Sequence, residues 1–253
     1  MANKYIINSK MKISFVLVFF RLILGLKIYE PPKSQPPYWA DPRIHMFGND
    51  NWFHATVAPI FTTALDKCVY KDSLRAHVCK KYLLPCLPAA NATILDIGCG
   101  AGLSTEALAS VFRDCRVIGI DTSAEMLKVA SRRKQLRNMQ YELGNGHYYG
   151  LEKIDMSLIS FMFHEAPQQA RISMLQRLSQ SVQTVVVLDI SQDYTPSRQM
   201  LYGEPYLYDY LENIDFDIKK TFKHVFKFVV VPKHATLWVA TNNDTTWLHN
   251  FQQ

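Results

Sequence analysis

Cysteine is scarce in this 253-residue chain: Cys68, Cys79, Cys86, Cys99 and Cys115 are an odd number with no C-x-x-C spacing. That pattern argues against a disulfide framework and a cysteine-built metal centre, and the thiols read as reduced groups of an intracellular protein. The histidines offer no H-E-x-x-H pair, so no metal site is expected. Long apolar runs are missing as well. Residues 11–26 come nearest, but Arg21 splits them into 13–20 and 22–26, each below the roughly 18 residues a membrane span needs. Basic charge is sparse where a nucleic-acid binder would show it. Of the formal net charge of +6, residues 1–34 hold +5, with Lys4, Lys10, Lys12, Arg21, Lys27 and Lys33 against Glu30 alone. The remainder is nearly neutral, so no nucleic-acid partner is expected.

What is present is globular text, 48% hydrophobic and 20% charged, enough for one domain with appendages. The basic, apolar leader 1–34 has the charge layout of a targeting or membrane-surface segment, and equally suits a helix packed on the domain. Either fate leaves the location cytoplasmic or organellar. Pro31-Pro32-Lys33-Ser34-Gln35-Pro36-Pro37 cannot hold a helix and marks a linker. Residues 35–90 read as a helical cover, with apolar positions at helical spacing over 53–70 and 74–84 and with Pro85 and Pro88 ending the second helix.

From residue 91 the rhythm changes. Short apolar or β-branched runs at 93–97, 116–120, 140–143, 156–161 and 184–190 alternate with helical text at 103–112, 124–137 and 168–181. Such alternation predicts an α/β fold, a parallel sheet with helices on both faces. Residues 222–230 alternate with period two, and a turn at 232–235 leads into 236–241, so a terminal hairpin adds an antiparallel strand near the edge. The strand end Val187-Leu188-Asp189-Ile190-Ser191, the text at Tyr194-Thr195-Pro196-Ser197 and Gly203-Glu204-Pro205-Tyr206-Leu207-Tyr208, and Tyr38-Trp39-Ala40-Asp41-Pro42-Arg43-Ile44-His45 earlier in the chain read either as a rim that shapes an acceptor site or as surface loops with anchoring aromatics.

The most informative text is Ile94-Leu95-Asp96-Ile97-Gly98-Cys99-Gly100-Ala101-Gly102-Leu103-Ser104-Thr105, a buried strand running into a glycine loop and then a helix. Such a loop lets a ligand approach backbone N–H groups, and the helix N-terminus favours an anionic group. Leu103 stands where the dinucleotide fingerprint needs glycine, which argues against NAD(P). About twenty residues on, Asp121 ends the next strand, where a carboxylate can accept from two ribose hydroxyls. Thr122 and Glu125 form a capping-box pattern for the helix that follows.

Asp96-Ile97-Gly98-Cys99-Gly100-Ala101-Gly102 resembles the first motif of class I S-adenosylmethionine (SAM)-dependent methyltransferases, and Val117-Ile118-Gly119-Ile120-Asp121 the second. The resemblance runs from about residue 91 to 241. It implies a Rossmann-like, seven-stranded, mostly parallel sheet whose last strand is antiparallel, and a SAM-binding domain over 91–253. It assigns cofactor contacts to Asp96, Gly98, Cys99, Gly100, Gly102, Asp121, Thr122 and Met126. Leu143-Gly144-Asn145-Gly146-His147 falls at the family's adenine-contacting segment with Asn145 where aspartate is common, so Asn145 and Gly146 are adenine contacts or a plain turn.

Residues 154–167 resemble the fourth motif, which faces the transferable methyl group. There Ser160 is a further cofactor contact and His164 a candidate base, or else a hydrogen-bonded, pocket-lining histidine. Glu165 would orient His164 or cap the following helix. The same stretch resembles small-molecule, quinone-biosynthesis-type methyltransferases, implying a small acceptor of apolar or quinone-like character beside SAM. The alternatives are a SAM-fold binding or assembly module without turnover and, against Leu103, an NAD(P)-dependent oxidoreductase.

Overall fold

The computed structural model describes residues 37–46, 48–70, 73–86, 90–150 and 154–243, so the expectations for the leader lie outside the described residues. Seven strands form one sheet: β1 (Thr93–Ile97), β2 (Arg116–Asp121), β3 (Met139–Leu143), β4 (Met156–Ser160), β5 (Thr184–Ile190), β6 (His224–Val231) and β7 (Ala235–Thr241), in the order β3-β2-β1-β4-β5-β7-β6. β7 runs antiparallel to both β5 and β6, and the other pairings are parallel. This is the expected mostly parallel sheet with its terminal hairpin. The order reverses beside β1, where β2 lies on one side and β4 on the other, and ligands of such sheets bind at that switch point, outside the carboxyl ends of the strands.

The described helices are α1 (Trp52–Leu65), α2 (Leu74–Val78), α3 (Leu103–Val111), α4 (Ala124–Arg132), α5 (Gln168–Ser181), α6 (Arg198–Gly203) and α7 (Leu207–Thr221). One face of the sheet packs on Met174, Leu175 and Leu178 of α5 and Leu207, Tyr210, Ile214 and Ile218 of α7. The other packs on Leu74 and Val78 of α2 and on Ala107 and Leu108 of α3. Buried on both faces, β4 and β5 carry no exposed residue, which is why they read as continuous apolar runs.

Several boundaries depart from the sequence reading. The helix expected over 124–137 ends at Arg132, because the Gln135 side-chain amide donates to the carbonyls of Ala130, Ser131 and Arg133 and closes the last turn. The cover helices are shorter than expected and run into wider π turns, Asp66–Tyr70 after α1 and Cys79–Leu83 after α2. Ser123, not Thr122, caps α4: its hydroxyl accepts from Met126 N at 3.1 Å. Asp50 of the cover accepts from the Ser123 hydroxyl and from Glu125 N, a tertiary contact that holds the cap one residue later. The rim after β5 is irregular at 194–197 and 204–206, and the intervening and following residues, which the sequence left unassigned, form α6 and the 15-residue α7. No helix among the described residues is long and apolar enough to cross a membrane.

Arg171 of α5 fixes the segment after β4. Its wholly buried guanidinium donates to Asp217, Asp209 and the Ala166 carbonyl, at 3.0, 3.0 and 2.7 Å. That carbonyl lies two residues past His164, so the site is braced from α5 and α7.

Candidate active site

A cavity of about 790 Å³ opens at the carboxyl ends of β1, β2, β4 and β5. Its floor at one end is the glycine loop. Gly98, Gly100 and Gly102 all have positive φ (68°, 52° and 84°), a region closed to most side chains. They serve different purposes. A Cβ on Gly100 meets no atom within 4 Å, so this backbone lies open to a ligand, whereas a Cβ on Gly98 would press on Met162 and one on Gly102 would run into the Tyr141 hydroxyl. The first turn of α3 follows with no side-chain cap, leaving its N–H groups for an anion.

Asp121 ties the loop to β2. One carboxylate oxygen accepts from Gly100 N at 2.7 Å and the other from Ser123 N at 2.8 Å. Burial lifts its pKa to about 6, with those two N–H groups pulling the other way. A carboxylate offers about four acceptor positions, so two remain for ligand hydroxyls. Asp96 stands behind the loop. It is wholly buried, accepts from the hydroxyls of Ser104 and Thr105 on one oxygen at 2.7 and 2.6 Å, and keeps the other oxygen without a partner among the described residues. Burial lifts it also to about 6. The Cys99 thiol lines the cavity and is held neutral, its pKa pushed well up by burial.

The far end is built from charged side chains. His164, in the turn after β4, bonds through Nδ1 to Asp189 Oδ1 of β5 at 2.6 Å. Its Nε2 lies 3.8 Å from Glu165 and 3.9 Å from Glu204. His45 of the cover sits between the same carboxylates, Nε2 at 3.0 Å from Glu165 and Nδ1 at 3.1 Å from Glu204, with His54 stacked on it at 4.2 Å. Burial disfavours charge on His164, but Asp189, Glu204 and Glu165 outweigh it and lift the pKa to about 9. His54 is pushed down to about 4 by burial and by His45, so it is neutral.

Of the residues singled out by sequence, Gly98, Cys99, Gly100, Asp121, Thr122, Met126, Asn145, Gly146, Ser160, His164 and Glu165 all line this cavity. Asp96 and Gly102 do not; they shape the loop from behind. Asn145 builds the turn, its Oδ1 accepting from His147 N at 2.8 Å, and it faces the cavity too. Ser160 presents a buried hydroxyl with no hydrogen-bond partner among the described residues. Glu165 does not cap α5, whose N-cap is Pro167; it pairs with His45. Orientation of His164 falls to Asp189, which sequence placed only at the rim. His45, His54 and Glu204 are the residues sequence did not assemble, because no spacing links positions so far apart.

Residues 94–184 match the family model described as Methyltransferase domain. Over 40 residues the chain is 58% identical to trans-aconitate 2-methyltransferase of Afipia carboxidovorans, covering 16% of each chain. Over 80 residues it is 35% identical to carboxy-S-adenosyl-L-methionine synthase of Campylobacter jejuni subsp. doylei, covering 31% of this chain and 33% of that one. The chain thus spans a third or less of the length of these curated relatives. Among solved structures it is similar to phosphoethanolamine N-methyltransferase 2 of Haemonchus contortus in complex with S-adenosyl-L-methionine, with a TM-score of 0.62, 14% identity, and 85% and 62% of the two chains covered. Residues 94–184 match a methyltransferase domain, and the chain that carries them has the class I, SAM-dependent methyltransferase fold.

Proposed function

We propose that this protein transfers the methyl group of SAM to a small acceptor held between the glycine loop and the His164 cluster. The observation that carries the reading is that one cavity joins both ends: an open Gly100 backbone and Asp121 at one side, His164, Glu165, Glu204 and His45 at the other. The site fits the cofactor. Asp121 keeps acceptor positions for two ribose hydroxyls, the uncapped start of α3 suits the methionine carboxylate, and Asn145 and Gly146, which line the same cavity, are its proposed adenine contacts. Methyl transfer from a sulfonium is an in-line displacement, so placing donor and acceptor in near-attack geometry supplies most of the rate.

The wall between the two ends carries Phe161, Met162, Ile190, Tyr194 and Met200, and the charged cluster closes it. That combination suits an acceptor with an apolar, ring-like body and an oxygen function, the quinone-like class being one such. His164 acts here as a positioning group. In the ligand-free protein it is an imidazolium at neutral pH, a donor toward an acceptor oxygen rather than a base.

The test is release of S-adenosylhomocysteine from SAM by the full chain, across a panel of small hydroxylated and carboxylated aromatic compounds. Acceptor-dependent release is expected, and His164→Ala should lower turnover while SAM affinity holds. Equal turnover in that variant would remove the acceptor from this end of the cavity, and absence of SAM binding would end the reading.

A further inference from the structure

We propose that the charged end of the cavity is a binding site for a divalent transition-metal ion, held by His164 Nε2, a nitrogen of His45 and the carboxylates of Glu165 and Glu204. Bonds of roughly 2.0–2.2 Å place ligand atoms about 3.0 Å apart when adjacent and about 4.2 Å when opposite. His164 Nε2 lies within that span of both carboxylates, at 3.8 Å and 3.9 Å, whereas His45 reaches them through different nitrogens, Nε2 to Glu165 at 3.0 Å and Nδ1 to Glu204 at 3.1 Å, so one nitrogen would bind the ion and the other pairing would give way. Donor atoms of His45, Glu165 and Glu204 all fall within 4.8 Å of one another.

Two further features point to a ligand rather than to a closed network of ion pairs. The His164 side chain is 8% exposed, and its Nε2 has no hydrogen bond among the described residues although it faces two carboxylates. Behind it Asp189 accepts from Nδ1, so an incoming cation that displaces the Nε2 proton would meet a ring already oriented by a carboxylate, the carboxylate–histidine–metal arrangement of bound ions. Glu204 supplies the second feature, a buried Oε2 with no hydrogen-bond partner among the described residues. His45 reaches the group from a left-handed backbone, φ 53°, that turns its ring in between the carboxylates.

Two carboxylates balance a double positive charge, and the mixed imidazole and carboxylate set suits manganese, iron, cobalt or zinc better than the all-oxygen preference of magnesium or calcium. On the methyl-transfer reading, an ion here would hold an oxygen of the acceptor; ion binding itself does not depend on that reading.

The test uses the full chain, stripped with a chelator and titrated with Co²⁺, followed by visible absorption and calorimetry. One ion per chain is expected, with affinity falling at least about 100-fold in the Glu165→Gln/Glu204→Gln double variant and about 10- to 100-fold in Asp189→Asn. SAM titrations of the same variants should be unchanged, which separates failure of this site from failure of the cofactor assignment. No Co²⁺ bound by the wild type, a sulfur-to-cobalt charge-transfer band, or unchanged affinity in the double variant would overturn the proposal. If the double variant does not fold, His45→Asn decides, since asparagine tolerates the left-handed backbone: retained wild-type affinity would overturn the site.

Discussion

Asparagine at position 121 keeps the shape of the side chain and removes half of its acceptor capacity. Each oxygen of Asp121 holds one backbone N–H, from Gly100 and from Ser123. An amide keeps one of these and turns its own NH₂ toward the other, and it can take only one ribose hydroxyl in place of two. Hydrogen bonds to charged groups are each worth about 1.5–3 kcal/mol. The lost loop bond should appear as a fall of that size in unfolding free energy, and the lost ribose bond as a fall in SAM affinity of about 10- to 150-fold. Protonation adds an internal control. Burial raises Asp121 to about 6 in the ligand-free protein, and binding ribose hydroxyls needs the ionised form. Wild-type affinity should therefore fall about tenfold between pH 7 and pH 5, and the gap to Asp121→Asn should narrow by the same factor. Calorimetric titration of both proteins with SAM at the two pH values reads this directly. An affinity within threefold of wild type at pH 7, or a gap that does not change with pH, would refute the ribose role.

The loop glycines should separate function from folding. Gly100→Ala adds a methyl into open space, so only backbone strain of about 1–2 kcal/mol is expected in urea unfolding, with SAM binding lost; Gly102→Ala meets Tyr141 and should destabilise more than it alters affinity. Asp96 is wholly buried with its folded-state pKa raised to about 6, so its contribution is fully present below about pH 4 and is lost as pH rises through 6. Asp96→Asn should shrink the difference in unfolding free energy between pH 5 and pH 7.5 by about 1–3 kcal/mol; an unchanged difference would mean Asp96 does not titrate there. Arg171→Met leaves Asp217 buried without its cation and should cost about 3–5 kcal/mol of stability, and a loss under about 1 kcal/mol would deny Arg171 its bracing role.

The parallel strands were legible because β1, β2, β4 and β5 are buried almost throughout and are mostly apolar, with their acidic residues at or near the carboxyl ends, and the hairpin because the edge strand β6 alternates in sequence with period two. α7 was hidden. Its buried positions Leu207, Tyr210, Ile214 and Ile218 do recur at helical spacing, but they follow Gly203-Glu204-Pro205, which reads as a loop. At the cofactor end, local text sufficed: the loop and Asp121 are motifs whose geometry is set by neighbouring residues. The charged end was not readable, since His45, His164, Asp189 and Glu204 meet only through tertiary packing. The shift of the α4 cap to Ser123 has the same origin, a contact from Asp50 that no local pattern contains.

The central claim is that the Gly98–Gly102 loop and Asp121 bind SAM. Calorimetric titration of the full chain with SAM and with S-adenosylhomocysteine, using NAD as the control, tests it most directly. The account predicts saturable binding of both at one site per chain and none of NAD; binding of NAD, or a folded protein that binds neither SAM nor its product, would contradict it.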